Sequence, residues 1–384
     1  MKARVIAYYL PQFHPIPEND EFWGKGFTEW LNVVKAKPLF RHHYQPRLPA
    51  DLGFYDLRLP EIRQQQADMA REAGVEGFCY WHYWFGNGKR LLERPINEVL
   101  VSGKPDFPFC FCWANHSWTT KTWNSKRRLA TRSVIVEQQY LGVEDYVRHF
   151  NDCLPAFKDP RYITVEGKPL FGIFDPFLHK DLRTFMDTWR KLAVDNGLKG
   201  IYFYAITKPA NFNRFNDDGE VVHVMPDVKS SADDYNSMLA QGFDGLNSYG
   251  QVRAEMTYYN KYVNMGLIAM RKYMPFIPST RFNYPRLMKH FLSPEDKWDN
   301  VFPTVLPQWD RSPRVGRAEG VYVNTTPEHF ENHLREALAL VEHKDMDHRI
   351  LFLRSWNEWA EGNYVEPDLR YGHGFLDAIK NVIL

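Results

Sequence analysis

Cysteine is scarce in this chain, with Cys79, Cys110, Cys112 and Cys153 the only four among 384 residues. Three of them lie in apolar, strand-like runs, so they read as small buried side chains and not as a disulfide framework. Cys110 and Cys112 share one strand face, but no second Cys/His pair at ligand spacing follows, and no metal site is expected. Long apolar runs are missing too. None approaches the ~18 residues of a membrane span. The stretch Val5–Leu10 is shorter than the ~7–15 residues of a signal core, so a soluble cytoplasmic protein is expected. Charge of either sign is not in excess: 48 basic and 47 acidic residues leave a net charge of +1. No basic block points to nucleic acid, and no polybasic helix points to a membrane surface. Gly-rich phosphate loops, dinucleotide fingerprints and a Gly-x-Ser-x-Gly elbow are all absent, so no cofactor is expected.

What is abundant is aromatic: 16% of residues, including 12 Trp and 21 Tyr. Part of that must serve as core. The rest suits carbohydrate, whose C–H faces pack on flat rings while its hydroxyls need polar neighbours. Short apolar runs alternate with amphipathic ones. The runs predict strands at 4–10, 76–84, 108–114, 169–174, 201–206, 243–248, 302–306 and 349–355. The 3.6-residue patterns predict helices at 61–73, 91–101, 144–156, 180–195, 232–241, 255–272 and 327–343. Eight strands with helices between them predict an α/β fold, a single (β/α)8 TIM barrel over 1–384, with a doubly wound sheet as the rival. Uninterrupted runs such as Pro108–Cys112 fit parallel strands buried on both faces. The strand-to-helix connections 11–60, 115–143, 207–231 and 307–326 are long, and in such barrels those loops form the active face. The 273–300 region breaks the pattern as a long helix-to-strand connection.

Polar and aromatic residues recur where the strands stop. The candidates for sugar contact are Tyr8, Tyr9, Trp81, His82, Trp113, Asn115, His116, Tyr249, Trp309, Asp310, Asn357 and Glu366. Plainer roles compete for each group: a top layer of the barrel for the rings, a satisfied core position for His82, and a surface pair with Arg311 or Arg314 for Asp310. Asp175, before Pro176, suits a turn or cap as well as a sugar contact. The last strand runs into Ser355-Trp356-Asn357-Glu358-Trp359-Ala360-Glu361-Gly362. A solvated Glu pair would not need the tryptophans. Two carboxyls close together, in apolar surroundings, cannot ionise equally, so one can hold a proton while the other takes one. Glu358 and Glu361 are therefore the candidate catalytic pair for glycosidic-bond chemistry.

Several segments resemble the WbsX-type family, related to glycoside hydrolase family 99. They are Tyr8–Pro15, Asn19-Asp20 with Trp23–Trp30, Gln45-Pro46-Arg47, Asp51–Asp56, Gly77–Phe85, Trp113-Ala114-Asn115, Trp309-Asp310 and Trp356–Gly362. The resemblance implies a (β/α)8 barrel acting on an oligosaccharide or polysaccharide, as a retaining enzyme of α-linked, mannose-containing glycans. It implies that Glu358 deprotonates the substrate's own 2-hydroxyl, which attacks C1. It implies that Glu361 protonates the leaving oxygen and then activates water. Glu366 matches an acidic position after the motif. The family usually has Glu where this chain has His116. Many members carry a glycosyltransferase label in O-antigen, lipopolysaccharide or surface-polysaccharide contexts, so transfer is the alternative activity. A non-catalytic carbohydrate-binding barrel is the third reading, and the oligomeric state stays open.

Overall fold

The computed structural model describes residues 1–119, 134–274 and 279–384. The expected connections 115–143 and 273–300 include 120–133 and 275–278, which lie outside the described residues. Eight parallel strands form the centre: β1 (Arg4–Tyr9), β2 (Gly77–Trp84), β3 (Phe109–Trp113), β4 (Lys168–Ile173), β5 (Tyr202–Thr207), β6 (Gly245–Ser248), β7 (Val301–Val305) and β8 (Ile350–Leu353). Each pairs with the next in chain order. The ring closes where Arg4 to Ala7 of β1 align with Ile350 to Leu353 of β8, and Ile6 to Tyr9 align with Gly77 to Tyr80 of β2. This is a (β/α)8 barrel, as the alternating runs predict.

Helices α1 (Pro60–Ala73), α2 (Arg94–Ser102), α3 (Val143–Phe157), α4 (Leu182–Asp195), α5 (Ala232–Leu239), α6 (Gln251–Tyr258), α7 (Lys261–Tyr273), α8 (Pro327–Val341) and α9 (Gly374–Ile383) follow the strands. Local chemistry sets their ends. Pro60 and Pro327 begin α1 and α8 in the first turn, where a missing N–H costs nothing. The Thr326 side chain accepts from the backbone N–H of His329 at 3.2 Å. Gly74 closes α1 in the left-handed region, at φ 85°. Among the described residues no helix is long and apolar enough to cross a membrane.

Three boundaries differ from the sequence expectation. Residues Arg90–Leu91 pair with the end of β2, and helix begins only at Arg94, with Pro95 in its first turn. The helix expected over 255–272 is two helices, because Asn260 sits at φ 69° and its side chain caps α7 by accepting from Tyr262 N–H at 3.0 Å. The 273–300 region is the return of a strand-to-helix excursion. Arg281–Asn283 pairs in parallel with Val321–Val323 of the connection after β7, and the short helix Tyr284–Met288 then leads toward β7.

The barrel interior is filled by alternate residues of each strand. Tyr8 reaches across it to donate to Asn247 Oδ1 at 2.8 Å, and Cys79 touches the Tyr204 hydroxyl at 3.3 Å. Gly172 makes room for Tyr204: a Cβ there would lie 2.4 Å from its Cζ. Inside-facing Cys79 and Cys112 are thus small residues that fit beside a large ring. The other face of each strand meets the helices.

Candidate active site

The segment after β8 folds back on itself. Asn357-Glu358 pairs antiparallel with Asn363-Tyr364 around a turn of 3-10 helix at Trp359–Glu361. Gly362 ends that turn at φ 56°, and a Cβ there would meet Asp310 Cβ at 2.9 Å and its backbone at 3.0 Å, so only glycine fits. Trp359 stacks on Tyr364 with centroids 3.7 Å apart. The two indole N–H groups point inward to one buried carboxyl, Glu366: Trp356 donates at 2.8 Å and Trp359 at 2.6 Å. Gln66 and the Tyr55 hydroxyl donate to it as well, at 2.6 and 2.9 Å. Burial raises the Glu366 carboxyl to about 7 despite these four donors. The motif's tryptophans are therefore anchors, and they leave Glu358 and Glu361 facing outward.

Both acids border a cavity of about 490 Å3 at the C-terminal end of the strands, well inside the ~300–1,000 Å3 of ligand pockets. They are 8% and 9% exposed. One guanidinium spans them: Arg314 Nη2 lies 3.1 Å from Glu358 Oε1, and its Nη1 lies 2.6 Å from Glu361 Oε1. Arg311 Nε adds a second cation to Glu361 at 2.9 Å. Behind them Glu29, fully buried in the long connection after β1, meets Arg314 Nη2 at 3.1 Å. Burial drives Glu29 up to about 7, although Arg314 pulls the other way. The catalytic candidates split. Burial and then the neighbouring Glu361 charge raise Glu358. Burial acts the same way on Glu361, but Arg311, Arg314 and Arg354 together outweigh it and hold this carboxyl below its ordinary value. The pair thus carries its proton preferentially on Glu358 and its charge on Glu361.

Of the other residues expected to touch sugar, Trp81, His116, Tyr249 and Trp309 line the cavity. Eight do not. Tyr9, His82 and Trp113 lie on the outer strand faces. Tyr9 donates to Gln66 of α1 at 2.7 Å, His82 shares a 2.8 Å hydrogen bond with His149 of α3, and Trp113 donates to Trp84 O at 2.9 Å. Tyr8 is a layer below, inside the barrel. Asn115 is fully buried, donating to Asp175 O and accepting from Asp175 N–H, each at 2.8 Å. Asp175 itself caps the next turn, accepting from Phe177 N–H at 3.2 Å. Asn357 clamps Leu10, accepting from its N–H at 2.7 Å and donating to its O at 3.1 Å. Asp310 does not pair with Arg311 or Arg314. It is fully buried, accepts from Gln45 at 2.6 Å and His43 at 2.8 Å, and lies 3.7 Å from Arg47. These partners overcome burial and pull its carboxyl down to about 2. Glu366 is the internal post described above.

The sequence reading did not single out Tyr83, Phe174, Lys208 and Arg354, which also line the cavity. Strand alternation finds them, within β2 for 81 to 83 and carried one step past the strand end for 172 to 174, 206 to 208 and 352 to 354, all keeping the inward face. The same count places Tyr9, His82 and Trp113 outside. His82, His149 and Cys153 lie within 4.8 Å of one another and form a possible metal-ligand group, fully buried between β2 and α3. The two imidazoles satisfy each other across 2.8 Å, the geometry of a hydrogen bond.

The chain matches the description "Glycosyltransferase WbsX" over residues 5–379. Two curated relatives, both "Uncharacterized protein WxcX" from strains of Xanthomonas campestris pv. campestris, are 33% and 32% identical over the whole chain. The chain spans about half of their length, 50% in each case. Among solved structures, a "GH99 endo-alpha-mannosidase" from Bacteroides thetaiotaomicron superposes with a TM-score of 0.52 at 15% identity, over 99% of this chain and 95% of that one. A "Glycoside hydrolase-like protein" superposes with a TM-score of 0.60 at 13% identity, over 99% and 94%. At such identities these two share the fold. The match over residues 5–379 places the chain in the glycosyltransferase WbsX family.

Proposed function

We propose that this chain is a carbohydrate-active enzyme that breaks an α-linked, mannose-containing glycan with retention at the Glu358–Glu361 pair. The observation that carries this reading is the pair itself: two buried carboxyls of unequal proton affinity, bridged by Arg314, at the edge of an aromatic-walled cavity. In the reaction, one carboxylate takes the proton of the sugar's 2-hydroxyl as that oxygen attacks C1. The C1–oxygen bond breaks, its electron pair goes to the leaving oxygen, and the other carboxyl protonates it. Water, deprotonated by that second group, then attacks C1; the C1–O2 bond of the 1,2-anhydro sugar breaks, its electron pair stays on O2, and O2 takes back the proton held by the first carboxyl.

Family resemblance gives the 2-hydroxyl to Glu358 and the leaving oxygen to Glu361. The resting charge pattern supports the reverse, because Arg311 and Arg314 hold Glu361 as the carboxylate. An aryl leaving group that needs no proton separates the two assignments. Replacing the proton donor by Gln leaves cleavage of such a substrate nearly intact in its first step, while replacing the base abolishes it. On natural linkages either Gln variant is expected to lose about 10³-fold in kcat/KM. Mass spectrometry of products from α-mannans and bacterial O-antigen glycans reads the outcome. Unchanged cleavage in both Glu358→Gln and Glu361→Gln would overturn the pair.

The family description favours a second reading, transfer. The same 1,2-anhydro intermediate opened by an acceptor hydroxyl gives a new glycoside in place of a hydrolysed one. Added sugar acceptors that appear in the products, at the expense of free reducing ends, identify this activity.

A further inference from the structure

Among the described residues four cations border the cavity, and they fall into two kinds. Arg311 and Arg314 are neutralised, by Glu319 and Glu361 in one case and by Glu29, Glu358 and Glu361 in the other. Arg354 and Lys208 have no ion pair among the described residues. Arg354, at the end of β8, is 8% exposed and rests on three rings: its Cζ is 4.4 Å from the Tyr249 centroid and 5.6 Å from those of Tyr8 and Trp81. Its Nη1 is buried without a hydrogen-bond partner. Glu361 and Glu358 act on it through space, but their bonds go to the other two arginines. Lys208, at the end of β5, holds its Nζ 4.6 Å over Phe174. Asp175 and, less strongly, Glu361 act on it through space; Asp175 is committed to capping Phe177, Glu361 is bonded to Arg311 and Arg314, and neither makes an ion pair with Lys208 among the described residues. His116 packs on the same Phe174 ring at 5.2 Å with its Nδ1 unpartnered, and burial together with Lys208 keeps it neutral, at about 4.

A buried guanidinium with open donors is costly unless something supplies the charge. Between the two cations lies a platform. Trp81 stacks on Tyr8 at 4.7 Å and meets Phe174 edge-on at 5.5 Å, with Arg354 beside the indole and Lys208 over the phenyl. A pyranose ring fits such a surface. The planar fork of arginine matches a carboxylate. We propose that the cavity takes an acidic sugar, a hexuronic-acid-type residue lying on Trp81 with its carboxylate between Arg354 and Lys208. Four carboxylates, Glu255, Glu319, Glu358 and Glu361, share the cavity. A ligand of single charge meets less repulsion there than a nucleoside diphosphate. This assignment rests on the glycan-processing reading above and narrows its substrate class.

Calorimetric titration of the full chain at low salt tests it with matched pairs: methyl α-D-glucuronide against methyl α-D-glucoside, the mannuronide against the mannoside, and uridine diphosphate as a third arm. The uronides are expected to bind about ten-fold tighter than their neutral partners, an advantage that salt erodes. Lys208→Met and Arg354→Lys should each remove most of that advantage. Lys208 is only partly buried, so its variant keeps the test alive if the arginine variant misfolds, and a thermal melt of each verifies folding. Neutral glycosides binding as well as uronides would overturn the acidic-sugar assignment and leave the glycan reading standing. Discrimination that persists in both variants overturns the assignment to these residues. Uridine diphosphate binding tighter than either uronide, with the same dependence on Lys208, replaces the carboxylate by a phosphate. Failure of every sugar to bind overturns both readings.

Discussion

Arg4 and Arg354 face inward from opposite ends of the same barrel, and they are treated in opposite ways. Arg4, at the start of β1, plugs the lower end. Its Nε and Nη2 bond both oxygens of Glu76 at 2.8 and 2.7 Å, Nη1 meets Asp347 at 2.9 Å, and Nη2 also donates to Thr164 O at 3.0 Å. These partners precede β2, β8 and β4, so one side chain ties several strand starts together. Arg354, at the finish of β8, has aromatic faces and, among the described residues, no carboxylate bond. A fold that satisfies one arginine fully and leaves the other open is using the first for cohesion and the second for something that comes and goes. The difference supports the proposed site at the C-terminal ends of the strands without appeal to any relative.

The comparison can be broken by mutation. Arg4→Met leaves Glu76 and Asp347 without their cation. Fully buried pairs cost ~3–5 kcal/mol when broken and exposed ones under ~1, so these partly screened pairs should cost about 2 kcal/mol in urea unfolding, with glycan processing unchanged per folded molecule. Arg354→Met removes an unpaired buried charge along with its ring contacts. Those effects oppose, so stability should change by less than about 1 kcal/mol in the same assay while ligand binding falls. Equal destabilisation by the two substitutions would erase the distinction. A smaller effect sharpens it at the upper end. Glu366 and Glu29 are acids raised to about 7 in the folded protein from an ordinary value of 4.5. Between those two pH values the unfolded chain binds fewer protons than the native one, so stability falls as pH rises through the window. Glu366→Gln should make that decline shallower in melts between pH 4.5 and 7, and Glu29 carries part of what remains.

The eight strands were legible because parallel strands buried on both faces must be written as apolar runs, and all eight runs are strands of the barrel. That Glu358 and Glu361 leave the solvated surface and border a cavity was legible, because tryptophans beside acids at a strand end have no use in solvent. Which face a strand-end residue takes was also written in the chain, in the period of two, yet Tyr9, His82 and Trp113 look no different from Tyr8, Trp81 and Tyr83 until one counts from a known interior position. Other features lay beyond local reading. Asp310 finds His43, which is 267 residues away, in preference to the arginines that follow it in sequence. Glu29 gives no hint that Arg314 awaits it. The 251–283 excursion hides because its helices rest on the rim and do not return directly to the next strand.

Ring closure has a further consequence. The charge cluster joins Glu29, from the connection after the first strand, to Arg314, after the seventh, and to Glu358 and Glu361, after the eighth. No partial barrel holds all three sources together. During refolding, helices and neighbouring strand pairs form from contacts of short range, whereas the β1–β8 seam must bring together segments from nearly opposite ends of the described chain. Return of the proposed activity would therefore clock the seam, and it should lag the return of helical signal by the time the circle takes to shut.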